Sequence, residues 1–516
     1  MDQSNEIPTS EPHSLGIDTG LTTRDVLRAA ALSHPEREAY VHGERRINYA
    51  QLEAASRGAG SVLMESGVEV GDVVAILLPS GIDYAIWYLA CLRIGAIASG
   101  VNRRLGESEQ RSIISRTMPR MSIVMESHDA PSGAECGQLI TSEEFESAYA
   151  NAPEPEPLIT QSTLACIVWT SGTTGEPKGA LYDHSRLEAI SRNIGDLTAD
   201  ADRRLVSLPF AHVGYMTRVW DEIAHGTTLV MTGEPWSPSE TLRLLRDESI
   251  TVGTGVPTQW ELVLAHPDLA LTDCSHLRLC GIGGSAVSPD LIRRMRSALA
   301  CPVMNRYTST EAGVSTGTEI GDPDEIVAET VGKPASEVEL RLVDGDGHDV
   351  EAGAVGEILL RSPMVMIGYW QDPSLTSSVL SEDGWLRTGD LARRDESHNL
   401  RIVGRLKEMY IRGGYNVYPA EVENALSKHP QIGRVAIVPT PTPVLGEIGV
   451  AFIVPNDAAS PPTLEALRSW LKDQIADYKA PERVVIMNEL PLTSMLKIDK
   501  KTLTALAKEE QWESKR

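Results

Sequence analysis

An apolar run, Ile167-Val168-Trp169, delivers the chain into Thr170-Ser171-Gly172-Thr173-Thr174-Gly175-Glu176-Pro177-Lys178-Gly179. Glycines let backbone N–H groups approach an anion closely, hydroxyls donate hydrogen bonds and a lysine adds charge, so this composition suits a phosphate cradle. It is not a Walker loop, because Lys178 is followed by Gly179 and lacks the preceding glycine. The competing reading is a flexible Ser/Thr/Gly loop, which a string this long and ordered disfavours. Single residues elsewhere offer further chemistry, each beside a plainer role. Glu311 can hold a divalent cation against phosphates or cap a helix. Asp390, in Thr388-Gly389-Asp390, can accept from two hydroxyls at once or form an ordinary turn. Lys497, beside Lys500 and Lys501, reads by default as a solvated charged face. His212 is a packed histidine by default, and Tyr307 a core aromatic at a strand end.

Thr170 to Gly179 resembles the phosphate loop of the adenylate-forming (ANL) superfamily, which includes acyl-CoA synthetases, adenylation domains of peptide synthetases and luciferases. Five more segments resemble family signatures, in chain order. Leu208-Pro209-Phe210-Ala211-His212 looks like the Pro-x-x-His segment, and Tyr307-Thr308-Ser309-Thr310-Glu311 like Tyr-Gly-x-Thr-Glu. Gly384-Trp385-Leu386-Arg387-Thr388-Gly389-Asp390-Leu391 is an unbroken match to another signature. Gly404-Arg405-Leu406-Lys407-Glu408 with Gly413-Gly414-Tyr415-Asn416-Val417-Tyr418-Pro419-Ala420-Glu421-Val422-Glu423 resembles the hinge and start of a small C-terminal domain. Leu490-Pro491-Leu492-Thr493-Ser494-Met495-Leu496-Lys497 looks like the Pro-x-Thr-x-x-Gly-Lys ending. One such motif is weak; six in order are strong.

The resemblance implies an acyl-CoA synthetase. The acid's carboxylate attacks the α-phosphate of ATP, pyrophosphate leaves, and a thiol then displaces AMP from the acyl-adenylate. Negative charge builds where anions already repel, so cations must stand there. The implied nucleotide set is Thr170, Ser171, Gly172, Thr173, Thr174, Gly175 and Lys178 on the phosphates and Thr310 on the α-phosphate. Tyr307 stacks on adenine, Asp390 and Arg405 hold the ribose, and Gly283 completes this set. Glu311 and Thr170 are the expected Mg²⁺ ligands. Lys497 bridges the carboxylate and the α-phosphate, and His212 is the ring at the mouth of the acyl pocket. Adenylation wants Lys497 in a closed site where thioester formation needs a pantetheine channel, so the small domain must turn about a hinge, at the position of Lys407. Gly413 and Gly414 would line that channel, because pantetheine passing close to backbone tolerates no side chain; the competing reading is a Gly-Gly turn.

Amino-acid-selecting members carry Phe-Asp where this chain has Phe210-Ala211, so an α-ammonium would lack its partner. The expected substrate is therefore a non-amino-acid carboxylic acid, fatty, aromatic or alicyclic. Since the chain ends within about a helix of Lys497, free CoA is the simplest acceptor. The alternatives are an acyl-AMP ligase that loads a separate carrier protein and a catalytically weakened nucleotide-binding homologue. The second is motivated by Thr308 and Leu496, which stand where the family has glycine. Gly214, Tyr215, Val219, Trp260 and Gly281 to Ser285 are candidates for the acyl pocket.

These residues need a scaffold, and the chain has one. At 516 residues it has room for about three domain-sized units, and 41% hydrophobic with 23% charged residues is an ordinary globular composition. From Asp72 short β-branched runs alternate with helical stretches: Val73 to Leu78 then Asp83 to Ala96, with further strands at Val206 to Phe210, Thr227 to Met231, Leu277 to Ile282 and Val303 to Tyr307. That alternation predicts an α/β class with parallel or mixed sheets flanked by helices. Past Thr330, strands at Glu337 to Asp344 and Gly356 to Arg361 form a β-rich subdomain. A last α+β unit carries helices at Pro419 to Lys428 and Leu464 to Tyr478. Its strands are Arg434 to Pro439, Val450 to Val454 and Arg483 to Met487. The expected division is an N-terminal AMP- and acyl-binding domain over residues 1–404 and a mobile C-terminal lid over 405–516. Residues 151–158 read as a stiff exposed connector.

A net charge of −25 argues against nucleic acid and anionic membrane surfaces as partners. The N-terminus lacks the basic and apolar regions of a signal peptide, and Tyr84 to Leu92 is too short to span a bilayer. Six scattered cysteines without a Cys-x-x-Cys pair suggest reduced, mostly buried thiols in a cytoplasmic compartment. The expected partners are a small-molecule carboxylic acid, ATP and CoA, with a homodimer left open.

Overall fold

The computed structural model describes residues 20–151, 156–170, 176–284, 287–493 and 497–509. Two large sheets form its body. In the first, the strands Val303–Ser309, Leu279–Gly283, Val252–Gly255, Arg203–Val206, Thr228–Met231 and Glu38–His42 run parallel in that spatial order. Antiparallel strands extend both edges, completing nine. The second has seven strands, with Leu164–Thr170, Ile97–Gly100, Val73–Leu77, Met121–Val124 and Gln138–Ile140 parallel. Strands buried on both faces need near-continuous apolar sequence, and Val73–Leu77 is buried at every position.

The run read as too short for a membrane is the helix Ile82–Ile94, buried at nearly all positions including Trp87. Gly95 ends it at φ +74°, where a β-carbon would meet Ile159 at 2.8 Å. No helix of the described residues is long and apolar enough to cross a membrane.

A four-stranded antiparallel sheet follows, Glu339–Val343, Gly356–Arg361, Leu386–Arg394 and Leu400–Arg405, in agreement with the expected β-rich unit. A five-stranded sheet over 410–486 follows, with Tyr415–Val417, Tyr410–Arg412, Gly446–Pro455 and Ile432–Thr442 in that order and Arg483–Ile486 pairing Gly446–Pro455 in parallel. Its helix Leu464–Leu471 is shorter than the stretch to Tyr478, which includes instead a 3₁₀ turn at Asp477–Lys479.

One strand lies earlier than the expected Val206 to Phe210. The strand is Arg203–Val206, and Leu208–Phe210 lies in the turn beyond it. Pro209 has no N–H to give a central parallel strand, and its carbonyl instead accepts from His212 N. The six cysteines are free thiols, five buried and Cys274 half-buried.

Candidate functional site

The carboxyl ends of parallel strands open onto a crevice, the usual ligand position in open α/β sheets. Here a cleft of about 2630 Å³ is walled by Gly100 and Thr170 of the second sheet, Gly284 and Thr308 to Glu311 of the first, and Asp390, Arg405 and Lys497 from later in the chain. Positions far apart in sequence thus meet at one place.

The described part of the expected phosphate loop is its two ends. Thr170 finishes the strand Leu164–Thr170 and Lys178 begins Lys178–Asp183, the two paired antiparallel. Thr170 Oγ1 donates to Lys178 O at 3.5 Å. Ser171, Gly172, Thr173, Thr174 and Gly175 lie outside the described residues. Lys178 Nζ stands 5.5 Å from the centre of the Tyr369 ring, and the Tyr369 hydroxyl donates to Glu311 Oε1 at 2.9 Å. The other oxygen of Glu311 bonds to none of the described residues. One carboxylate oxygen is therefore fixed and one is left for a hard cation, which fits Mg²⁺. Tyr182 hydrogen-bonds the carbonyl of Thr310.

Asp390 is buried, and both its oxygens are engaged. Tyr307 donates to Oδ2 at 2.6 Å and Arg405 Nε to Oδ1 at 2.9 Å. The Asp390 charge holds the Arg405 guanidinium above its usual pKa. Burial, with that carboxylate adding to it, pushes the Tyr307 hydroxyl well up. Each carboxylate oxygen keeps a second lone pair, so the pair of protein donors orients Asp390 without using up its capacity for diol hydroxyls. Gly389 N donates to Glu357 at 3.2 Å, fixing the turn that presents Asp390.

Lys497 is held by its loop: Thr493 N donates to Lys497 O at 2.7 Å and Asp499 N to Pro491 O at 2.8 Å. Leu496, between them, lies outside the described residues. The Lys497 side chain passes over Gly284, whose β-carbon, if present, would be 3.7 Å from both Cε and Nζ. Burial lowers the Lys497 pKa, and Arg405 lowers it further. His212 caps the short helix Val213–Met216, its Nδ1 accepting from Gly214 N at 3.3 Å. Burial and the Lys497 charge bring its pKa down to about 3, so its ring is neutral.

Other expected residues sit apart from the cleft. Gly283 is a strand residue whose β-carbon would stand 2.6 Å from Arg306 O, so close strand packing explains it, and its neighbour Gly284 supplies the wall. Gly413 and Gly414, at φ +56° and +89°, form the two-residue turn between Tyr410–Arg412 and Tyr415–Val417. Neither is on the cleft wall, whereas Lys407 is. Tyr215 is buried and stacked on Phe210, centroids 3.6 Å apart. Trp260 is buried with Nε1 donating to Gly281 O at 3.3 Å; Val219 is also core. Ser285 lies outside the described residues.

Gly284, within the stretch Gly281 to Ser285 expected at the acyl pocket, stands beside Lys497. Two participants had no signal in the motifs. Tyr369 acts through contacts that only the fold creates. Arg434, whose Nη2 donates to Thr258 Oγ1 at 3.1 Å, ties the last sheet to the helix Pro257–Leu264 on the opposite cleft wall.

Residues 27–370 match the family model described as AMP-binding enzyme, and residues 421–497 match that of the AMP-binding enzyme C-terminal domain. The chain is 34% identical over 492 residues to an indoleacetate–CoA ligase of Aromatoleum aromaticum, covering 90% of this chain and 94% of that protein. It is 33% identical over 481 residues to a feruloyl-CoA synthase of Amycolatopsis, covering 92% and 96%. Among solved structures, ATP-bound MatB from Rhodopseudomonas palustris superposes with a TM-score of 0.86 at 26% identity, covering 95% of this chain and 99% of that one. A cleft built from these motifs, matched over nearly its whole length, makes the chain a member of the AMP-binding enzyme family within the ANL superfamily, on its acyl-CoA synthetase branch.

Proposed function

We propose that the protein is an ATP-dependent, AMP-forming carboxylate–CoA ligase. It converts a non-amino-acid carboxylic acid to an acyl-adenylate and passes the acyl group to CoA, releasing pyrophosphate and then AMP. The observation that carries this reading is the entry of Lys497 into the cleft that holds Asp390, Arg405 and Glu311. A desolvated lysine that enters the cleft beside these groups supplies charge where the transition state develops it.

In this reading Tyr307 packs on adenine while Asp390, set by Tyr307 and Arg405, receives the ribose hydroxyls. Thr310 and Lys178 hold phosphate oxygens. Glu311 and Thr170 would hold Mg²⁺, which would screen the charge of the phosphates. His212, neutral, borders the acyl pocket without bringing a competing charge beside the carboxylate. Ala211 offers no carboxylate for an α-ammonium, so the acid is fatty, aromatic or alicyclic, as the acids named for the relatives in part are. The lid is proposed to span residues 405–516, turning about Lys407 to bring Gly413 and Gly414 to the thiol's path. A reducing cytoplasm suits the six free thiols.

ATP–pyrophosphate exchange across fatty, aromatic and alicyclic acids, with CoA consumption followed in parallel, tests the reading. Acid-dependent exchange coupled to CoA consumption is expected. Exchange without CoA consumption would point to a carrier-loading ligase, and no exchange with any acid to a binder without catalysis.

A further inference from the structure

The cleft contains a positive charge that the nucleotide site leaves unexplained. Arg306 precedes Tyr307 on the strand Val303–Ser309 and lines the cleft. Neighbouring strand side chains face opposite ways. While Tyr307 turns to Asp390, the Arg306 guanidinium reaches the turn after the helix His184–Arg192, where Nη2 donates to Ile194 O at 2.9 Å. Leu197 of the same turn packs on Gly281, where a β-carbon would lie 3.1 Å from it. Arg306 therefore sits on the side of the strand Leu279–Gly283 where the acyl pocket is expected, away from the ribose.

That one carbonyl is its whole protein complement among the described residues. Nε is buried without a partner, Nη1 makes no hydrogen bond to them, and no carboxylate comes within ion-pair distance. The two arginines nearby are satisfied differently. Arg218 pairs with Asp221 at 2.6 Å and Arg204 with Glu222 at 3.2 Å. Two of these three guanidinium groups thus have buried carboxylate partners, and the third belongs to a residue of the cleft wall. Asp196, the remaining acidic neighbour, is exposed to water, which screens it. Burial and Arg218 lower the Arg306 pKa to about 10, which still leaves it charged at neutral pH. A desolvated cation without a counter-group is costly, and within a substrate cleft the ligand can supply the missing acceptor.

We propose that the acid substrate carries a second oxygen acceptor, a carboxylate or a carbonyl, remote from the carboxyl that is activated, and that Arg306 receives it. This rests on the ligase reading and names the substrate class. An arginine fork suits such an oxygen because it offers parallel N–H donors. A site that must hydrogen-bond its ligand also rejects the analogue without the acceptor.

Acids in length-matched trios, ending in a methyl, a ketone or a carboxylate, are compared by kcat/KM in ATP–pyrophosphate exchange. The wild type is expected to favour the ketone or the carboxylate over the methyl by roughly 10–100-fold, and the better of the two identifies the acceptor. Arg306→Met should abolish that preference and raise the methyl acid's rate. Arg306→Lys, which keeps the charge and loses the fork, should retain part of it. Preference for the methyl acid in every trio by the wild type overturns the proposal, and that measurement needs no variant to fold. Full preference retained in both variants also overturns it. Absence of exchange with all acids is a different failure: the ligase reading falls, and this inference with it.

Discussion

Lys497 lies over Gly284, close enough that a β-carbon on the glycine would be 3.7 Å from the lysine's Cε and Nζ. The two residues come from opposite walls of the cleft, the lysine from the loop after Arg483–Ile486 and the glycine from the end of Leu279–Gly283. Gly284 has φ +79°, so the turn that admits the lysine also needs a residue at ease in the left-handed region. Arg434 and Thr258 join the same two walls by a second contact. In the proposed mechanism this placement of Lys497 is the arrangement that serves the acid's attack on the α-phosphate.

Lys497→Ala should therefore lower ATP–pyrophosphate exchange by roughly 10²–10³-fold, the usual scale for losing one electrostatic stabiliser. Thioester formation from supplied acyl-adenylate should stay near wild type, because in the proposed mechanism the lysine serves only the first step. Single-turnover assays of each half separate the two. Equal losses in both halves would remove Lys497 from this role.

Much of this cleft was legible because the chemistry needs particular residue types at fixed places on strand ends. Asp390 and Arg405 were readable from one unbroken signature and its neighbour, and they meet at 2.9 Å. Tyr369 was not readable. Its hydroxyl on Glu311 and its ring under Lys178 depend on the strand Gly368–Tyr369 adding to the edge of the second sheet, a pairing between residues nearly 200 apart in sequence. Gly413-Gly414 were ambiguous for a physical reason. A type of turn that needs positive φ and a channel that excludes side chains both demand glycine. Element ends drifted where apolar runs outlast hydrogen bonding, as at Leu208–Phe210, where Pro209 stops the ladder. Arg306 could not be singled out at all, since its lack of a carboxylate partner among the described residues is a property of the folded surroundings.

Tyr307→Phe isolates the hydrogen bond on Asp390. The ring, and with it any packing on adenine, is kept, but a buried carboxylate oxygen loses its donor. Such a loss costs about 1–3 kcal/mol, so KM for ATP should rise roughly tenfold or somewhat more while the KM for the acid changes little. Exchange kinetics with ATP varied at saturating acid measure this. An unchanged ATP KM would mean that Asp390 is oriented without Tyr307.

Gly414→Trp tests the thiol's path. Nothing lies within 4 Å of the position a β-carbon would take, so the side chain has space in this conformation, although φ +89° adds strain of about 1–2 kcal/mol. Gly414→Ala carries the same strain without the bulk and serves as the control. CoA-dependent turnover should fall in the tryptophan variant well below that of the alanine variant, with acid-dependent exchange retained in both. Identical CoA kinetics in the two would reduce Gly414 to its turn.

His184 makes stability depend on pH far from the cleft. It is fully buried, and its Nδ1 accepts from Thr23 N at 3.2 Å, so that nitrogen must stay unprotonated to hold the first turn of the helix Thr23–Ser33. Burial lowers its pKa to about 4, against about 6.5 unfolded. Between those values the unfolded chain takes up a proton that the folded chain refuses, so stability falls as pH drops from 6.5 toward 4 and is unaffected by this group above 6.5. The 2.5-unit gap sets the loss on the order of 3 kcal/mol. His184→Gln removes the titration, so the difference in unfolding free energy between wild type and variant should shrink or reverse in the variant's favour as pH falls through that window. Denaturant unfolding of both proteins from pH 8 to pH 4 measures the difference, and curves that remain parallel throughout would show that His184 is charged, or not charged, equally in both states.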